Sequence, residues 1–262
     1  MMPFSVMTYN IQFGGKGREE LILSVLRASN ADIISLTEAD NPKIVATLAE
    51  RLGMHHRWAR GSGDRHIATL SRYEIQDSKI YNSPPLTQAV LETTHNVGGE
   101  WLTIFNVHLL PYLLLPYEVR RWQAVGKLLR IIREKPLGHR LILGDINAIG
   151  PSDRVLHWRN PARMQCFMAL QLFIVFRLAI PRLLKAGYVD CFRHLHPAED
   201  GFTWMTGNRT TRYDYILACP DMIGNLQTCR VLDELPDVEM ASDHYPLGAV
   251  FGGGDEANNI LP

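Results

Sequence analysis

The sequence has no excess of either charge. Lys and Arg together number 27, as do Asp and Glu, so no global field advertises nucleic acid or an acidic membrane as partner, and only a local basic groove remains open to that role. Cysteine is scarce: Cys166, Cys191, Cys219 and Cys229 are all there is. They form no CxxC pair and no metal-ligand spacing with histidine, which argues against zinc and for free thiols in a reducing compartment. The opening "MMPFSVMTYN" lacks a charged stretch followed by a secretory apolar core, so the expected location is cytoplasmic. Internal repeats and low-complexity stretches are missing too, and "GGGDEANNILP" (252–262) alone reads as a flexible tail. What is present is an ordinary soluble composition, 46% hydrophobic over 262 residues, enough to bury a substantial core.

Periodicity alternates along the chain. "FSVMTYNI" (4–11) reads as a strand running into the glycines at 14, 15 and 17, "REELILSVLRASN" (18–30) as a helix stopping at Asn30, "ADIISLTEAD" (31–40) as a second buried strand, and "PKIVATLAERLG" (42–53) as a helix with Pro42 near its start and Gly53 after its end. From about 65 to 107 the pattern becomes a β-meander, "HIATLSR", "EIQDSKIY", "LTQAVLETT" and "WLTIFNVH". A helix over 117–134, a strand over 140–147 and two further strands, "RYDYILAC" and "HYPLGAVF", complete the reading. Strand-helix alternation followed by a meander, twice over, predicts two packed mixed sheets.

One segment breaks the pattern. In "MQCFMALQLFIVFRLAI" (164–180), between Pro161 and Pro181, only Gln165, Gln171 and Arg177 interrupt an apolar run. At about 100° per residue these three fall at three azimuths, so no polar face exists. The run is expected to form a helix buried inside the fold; the alternative is an apolar protrusion that touches lipid or a partner. It is too interrupted to span a bilayer.

Several predicted strands end in polar residues: Asn10 and Gln12, Glu38, His108, Asp145 and Asn147, Asp214, then Asp243 and His244. Such residues are poor core material. Brought together, they make a set of hard oxygen donors with two imidazoles and no thiolate, which suits Mg²⁺ or Mn²⁺ better than zinc. Magnesium with carboxylates and amides around a phosphate is phosphoryl-transfer chemistry.

"MTYNI", "DIISLTEAD", "FNVHLLP", "LILGDINA", "RYDYILA" and "SDHYPLGAVF" also resemble, in this order from residue 5 to 251, the motifs of the endonuclease/exonuclease/phosphatase superfamily, which includes abasic-site endonucleases, pancreatic-type deoxyribonucleases, neutral sphingomyelinases and inositol polyphosphate 5-phosphatases. The resemblance implies a four-layer αββα sandwich, with residues 1–251 forming one domain that carries an apolar insertion at about 161–184. It also implies the site roles. Glu38 would be the principal Mg²⁺ ligand with Asn10 in support, Asp243 and Gln12 nearby; Asp145 would orient or activate water and Asn147 would bind the phosphate; His244 would be polarised by Asp214; His108 would reach a phosphate oxygen or the leaving group. Gln12 stands where some branches carry an acid, and Thr37 precedes Glu38 where glutamine is common.

The remaining histidines match no motif and are read as surface or packing residues, Trp204 as packing beneath the site, and Arg212 as either a phosphate contact or the partner of a neighbouring acid. The expected activity is a Mg²⁺-dependent phosphodiesterase on nucleic acid or a phospholipid-type substrate. "RWARGSGDRH" (57–66) and "WRNPAR" (158–163) are the candidate basic stretches for nucleic acid; "LLPYLLLPY" (109–117) and the 164–180 run are candidates for peripheral membrane contact. Alternatives are a small-molecule phosphomonoesterase and a noncatalytic scaffold on the same fold. No protein partner is inferable.

Overall fold

Alternation along the first strand sets the layering. In β1 (Phe4–Asn10), Met7 and Tyr9 join one buried cluster with the helices outside, whereas Phe4 and Val6 join another that lies between two sheets. Asn10 has the parity of Val6, so it ends the strand facing the inter-sheet space.

The computed structural model describes residues 2–253 other than Ser62, Asp64 and Leu137. β1 pairs in parallel with β2 (Ile33–Thr37), and the sheet continues through β3 (His55–Ala59) and β4 (Ile67–Ser71), with β11 (Leu226–Val231) and β12 (Leu247–Phe251) on the other flank, in the order β11-β12-β1-β2-β4-β3. The second sheet contains β5 (Ile75–Tyr81), β6 (Val90–Val97), β7 (Glu100–His108), β8 (His139–Asp145), β9 (Val189–Asp190) and β10 (Asp214–Ala218), in the order β5-β6-β7-β8-β10-β9. Helices α1 (Glu19–Ser29) and α2 (Pro42–Leu52) cover the first sheet. Helices α3 (Leu115–Arg133) and α5 (Ala179–Lys185) cover the second; α4 (Ala162–Ala169) lies between them in the chain, and α6 (Cys191–Leu195), α7 (Pro220–Ile223) and α8 (Val238–Ala241) are short. This is the expected α/β architecture of two mixed sheets flanked by helices.

The capping signals hold. Asn41 accepts hydrogen bonds from the N–H groups of Lys43 and Ile44 at the start of α2, while Asn30 and Gly53 close α1 and α2 in the left-handed conformation. β3 and β11 were not legible. β3 is an edge strand with four of five residues partly or fully exposed, so no apolar run marks it.

The single buried helix expected over 164–180 is not what forms. α4 ends at Ala169; a turn follows, with Leu172 and Phe173 at positive φ, and α5 begins at Ala179. Leu170 and Leu172 are 81% exposed, and Phe173, Ile174 and Leu178 are exposed as well. Inward-facing Met168 packs with Leu113, Ile149 and Tyr213, so the two apolar segments meet over a small core of their own. No helix among the described residues is long and apolar enough to cross a membrane. Residues 254–262 of the expected tail lie outside the described residues.

A buried ion pair organises this region. On α3, Arg121 donates to Glu118 (2.8 Å) and to the backbone carbonyls of Leu110 (2.6 Å) and Tyr112 (2.8 Å); Glu118 in turn accepts the N–H groups of Leu178 and Ala179 at the start of α5. Gln171 ties the turn to the same helix, accepting from Leu115 N–H and donating to Leu113 O.

Candidate active site

Strand register brings the predicted residues together. His108 ends β7 opposite Asp145, which ends β8, and Asp145 lies opposite Asp214 at the start of antiparallel β10. Directly opposite residues project to one face, and Asn106, of the same parity as His108, donates across the sandwich to Leu36 O and Ala68 O. The trio therefore faces the first sheet. Gly144 makes this approach feasible: it sits at φ 147°, and a Cβ there would lie 1.8 Å from Val107 O.

From the first sheet, Asn10 and Glu38 arrive at the ends of β1 and β2. Glu38 has φ 51°, and Gln12, Phe13 and Asn147 share the left-handed region. With Tyr112, at φ 77° in the cleft wall, five such non-glycine residues around one cleft mark a backbone held by its surroundings for the sake of side-chain aim. The Asn10 amide bridges the sheets, donating from Nδ2 to Asp145 Oδ2 (3.0 Å) and Glu38 Oε1 (3.3 Å), while its Oδ1 accepts Gln12 N–H (2.9 Å). Glu38 Oε2 accepts Phe13 N–H (3.0 Å). Asp145 Oδ1 accepts Asn147 N–H (2.9 Å), and one N–H of the Asn147 side chain goes to Leu109 O (3.1 Å).

His244 donates from Nδ1 to Asp214 Oδ2 (2.8 Å), leaving Nε2 3.9 Å from Asp145 Oδ2; His108 Nε2 is 3.8 Å from the same oxygen. Donor atoms of Asp145, Asp214 and His244 all lie within 4.8 Å of one another. Burial alone would push the His244 imidazole down, but the Asp214 charge and hydrogen bond outweigh it and hold the ring at about 10, protonated at neutral pH. Asp145 is pushed up to about 7 by burial and by the Asp214 charge, with His244 pulling the other way. His108 is fully buried with neither ring nitrogen hydrogen-bonded; burial, aided by the Arg65 and His244 charges, lowers it far below the usual range, so it is neutral.

Glu38, Asp145, Asn147 and His244 floor a cleft of about 300 Å³, bounded on one side by Pro111, Tyr112, Met164 and Phe167, while Asn10, His108 and Asp214 lie buried behind them. Gln12 and Asp243 line it too. Asp243 Oδ2 accepts the indole N–H of Trp204 (3.2 Å), so Trp204 is a wall of the cleft rather than packing beneath it. Arg212 is not a phosphate contact. It is fully buried between Asp153 and Asp190, where it fixes the loop after Asn147. Arg65 escaped sequence reasoning: its Nη1 pairs with Glu38 Oε1 at 2.5 Å, and its place in "RWARGSGDRH" signalled only a basic stretch. Ser242 was missed as a support; its hydroxyl donates to Asn10 O (2.6 Å) and accepts His244 N–H (3.3 Å), locking the first and last strands' contributions together.

The fold and this site define a metal-dependent phosphoric ester hydrolase. The chain belongs to the Endonuclease/Exonuclease/phosphatase family, whose model matches residues 7–244. Among solved structures it is similar to an AP endonuclease from Archaeoglobus fulgidus (TM-score 0.74, 22% identity, 95% of this chain and 99% of that one). It is similar also to the 3′ phosphatase NExo from Neisseria bound to product DNA hairpin (TM-score 0.72, 22% identity, 95% and 100%) and to truncated TDP2 from Caenorhabditis elegans (TM-score 0.64, 16% identity, 96% and 98%). Comparison with curated proteins found no match.

The family's enzymes use divalent metals, and the residues here fit one. Three carboxylates, Glu38, Asp145 and Asp243, line the cleft and a fourth, Asp214, lies buried behind His244, against three cations, Arg65, Arg163 and the His244 imidazolium. The oxygen donors and the unpaired Asp214 Oδ1 suit a hard divalent cation.

Proposed function

We propose that this protein is a Mg²⁺-dependent phosphodiesterase that cleaves a phospholipid-type diester by in-line attack of water. The observation that carries the chemistry is the Asp145 carboxylate, which meets the Asn10 amide on one side and the dyad-held His244 on the other. Glu38 and Asp243, steadied by Asn10 and by the backbone turn at Gln12, would hold the cation, which when bound would offset charge on a phosphate oxygen.

The proton assignments follow from environment. A carboxyl raised to about 7 is matched to taking the proton of attacking water near neutral pH, whereas an imidazole held protonated to about 10 cannot take one and serves as a fixed positive charge beside the phosphorane. The second N–H of Asn147 supplies a hydrogen-bond donor to the phosphate, and neutral His108, fully buried 3.8 Å from Asp145 Oδ2, backs that carboxylate. Beyond the His244 imidazolium, Arg65 and Arg163 alone add positive charge to the cleft lining, which suits the single charge of a diester better than the two of a monoester.

The apolar wall and the exposed residues at 170, 172, 173 and 174 beside it support a lipid substrate met through peripheral membrane contact. Nucleic acid is the second reading, supported by the names of the similar structures and by exposed Trp158 with Arg159 and Arg163 near the cleft. Headgroup release from phospholipid-detergent micelles and cleavage of abasic duplex DNA, measured side by side in Mg²⁺ with chelator and Asp145→Asn controls, decide between them. Micelle turnover alone supports the lipid reading and DNA cleavage alone removes it. Phosphate release from monoesters but not diesters would assign a phosphomonoesterase; cation binding without any turnover would leave the scaffold reading.

A further inference from the structure

The outer face of α3 changes character along its length. Leu115, Val119 and Trp122, spaced at four and three residues, are all exposed, although one helical face of apolar side chains in water is unfavourable by roughly 25 cal/mol for each Å² left uncovered. Beyond them a groove of about 770 Å³ opens between α3 and α5, lined by Arg130, Arg133, Arg182 and Lys185 with no carboxylate among its lining residues. None of these four cations forms an ion pair among the described residues. Arg182 lies flat over the Trp122 ring at 3.9 Å and donates to Trp122 O at 2.8 Å. It can do so because residue 126 is glycine: a Cβ there would meet the guanidinium at 2.6 Å.

The two zones form one surface with the cleft. Gln171 and Glu118 fasten the exposed apolar turn to the first turns of α3, and the inner side of the same region, through Tyr112, Met164 and Phe167, walls the active site. Moving outward, the face runs from reacting centre to apolar rim to basic groove.

We propose that the α3/α5 groove binds the phosphate headgroups of anionic phospholipids and, together with the apolar rim, docks the enzyme on an anionic membrane surface. The proposal rests on the phospholipid reading of the cleft and adds a second, noncatalytic phosphate site to it. Charge complementarity selects the occupant. Uncompensated cations recruit an anionic surface, and the adjoining exposed leucine, isoleucine and phenylalanine side chains gain by entering the headgroup boundary, a pairing of two weak signals that gives stable peripheral binding. A nucleic-acid backbone would satisfy the cations but leave the apolar residues in water.

The test is sedimentation of the full chain with phosphatidylcholine vesicles, with and without phosphatidylglycerol. Binding should need phosphatidylglycerol and weaken with salt. Arg130→Gln/Arg133→Gln should lower the partition coefficient about 25-fold, at about fivefold for each charge near an anionic surface. Because both residues are exposed and remote from the cleft, turnover of a water-soluble phosphodiester and the thermal midpoint should be unchanged. Equal binding of the double variant, equal binding to neutral vesicles, or no binding at all would each overturn the proposal. Loss of duplex oligonucleotide binding in the same variant, without vesicle binding, would give the groove to nucleic acid. Charge-dependent vesicle binding without micelle turnover would refute the substrate reading and leave the dock standing; micelle turnover with no charge dependence would do the reverse.

Discussion

Replacing Asp145 with Asn should abolish turnover and at the same time stabilise the metal-free fold above neutral pH. Burial, then the neighbouring Asp214, carries this carboxyl from its ordinary 3.8 to about 7. A folded chain that keeps a proton the unfolded chain has already released loses stability as pH rises through that interval, and the loss is constant above it. At about 1.4 kcal/mol for each tenfold, the full effect is about 4 kcal/mol. Asn cannot ionise, so it escapes the penalty, but its Nδ2 would face the Asn10 Nδ2 that now donates to Asp145 Oδ2. That donor-donor encounter takes back about 1 kcal/mol. Urea unfolding in chelator should therefore find the two proteins nearly equal at pH 5 and the Asn variant more stable by about 3 kcal/mol at pH 8. Saturating Mg²⁺ should narrow the gap by favouring the wild-type carboxylate. Parallel stability curves from pH 5 to 8 would refute the assignment of Asp145 as the strained, proton-accepting group.

Glu38→Gln should lose the thermal stabilisation that Mg²⁺ gives the wild type, worth about 2.7 kcal/mol at a hundredfold excess over Kd, as read by a melting shift. Asp214→Asn should remove a stabilisation that His244 contributes fully below its unfolded value of 6.5 and loses as pH rises through about 10, so wild type and variant should converge in urea midpoint between pH 7 and pH 10. Arg121→Met strips the buried Glu118 of its counter-cation and should cost about 3–5 kcal/mol, more than Arg121→Met/Glu118→Gln in the same unfolding assay.

The site was legible where chemistry interrupts packing. Asn10, Glu38, His108, Asp145 and Asp214 stand out because strands that alternate in a core have no other reason to end in amides, acids and imidazole, and the structure brings the five together, Glu38 and Asp145 in the cleft lining and the other three buried behind it. Arg65 was illegible for the opposite reason: a basic residue in a loop looks like surface, and only the fold brings it onto Glu38. The 164–180 run misled because its polar residues were weighed as a helix face. Each instead grips a different loop: Gln165 donates to Asn160 O, Gln171 to Leu113 O, and Arg177 to the carbonyls of Gly150 and Asp153. Three azimuths were the signature of three separate attachments, which a periodicity argument for one helix cannot express.

The Glu118–Arg121 pair has a consequence for variation. Since it and Gln171 hold the backbone on both sides of the cleft's apolar wall, the outward side chains of Leu170, Leu172 and Ile174, unlike Phe173 with its ring against His157, contribute little to keeping that backbone in place. They are free to be exchanged singly or as a block without unravelling the scaffold, within the limit that residue 172 must tolerate positive φ. A randomised library at these positions thus changes what the rim prefers to touch while the hydrolytic floor stays constant, and repertoire becomes separable from reactivity.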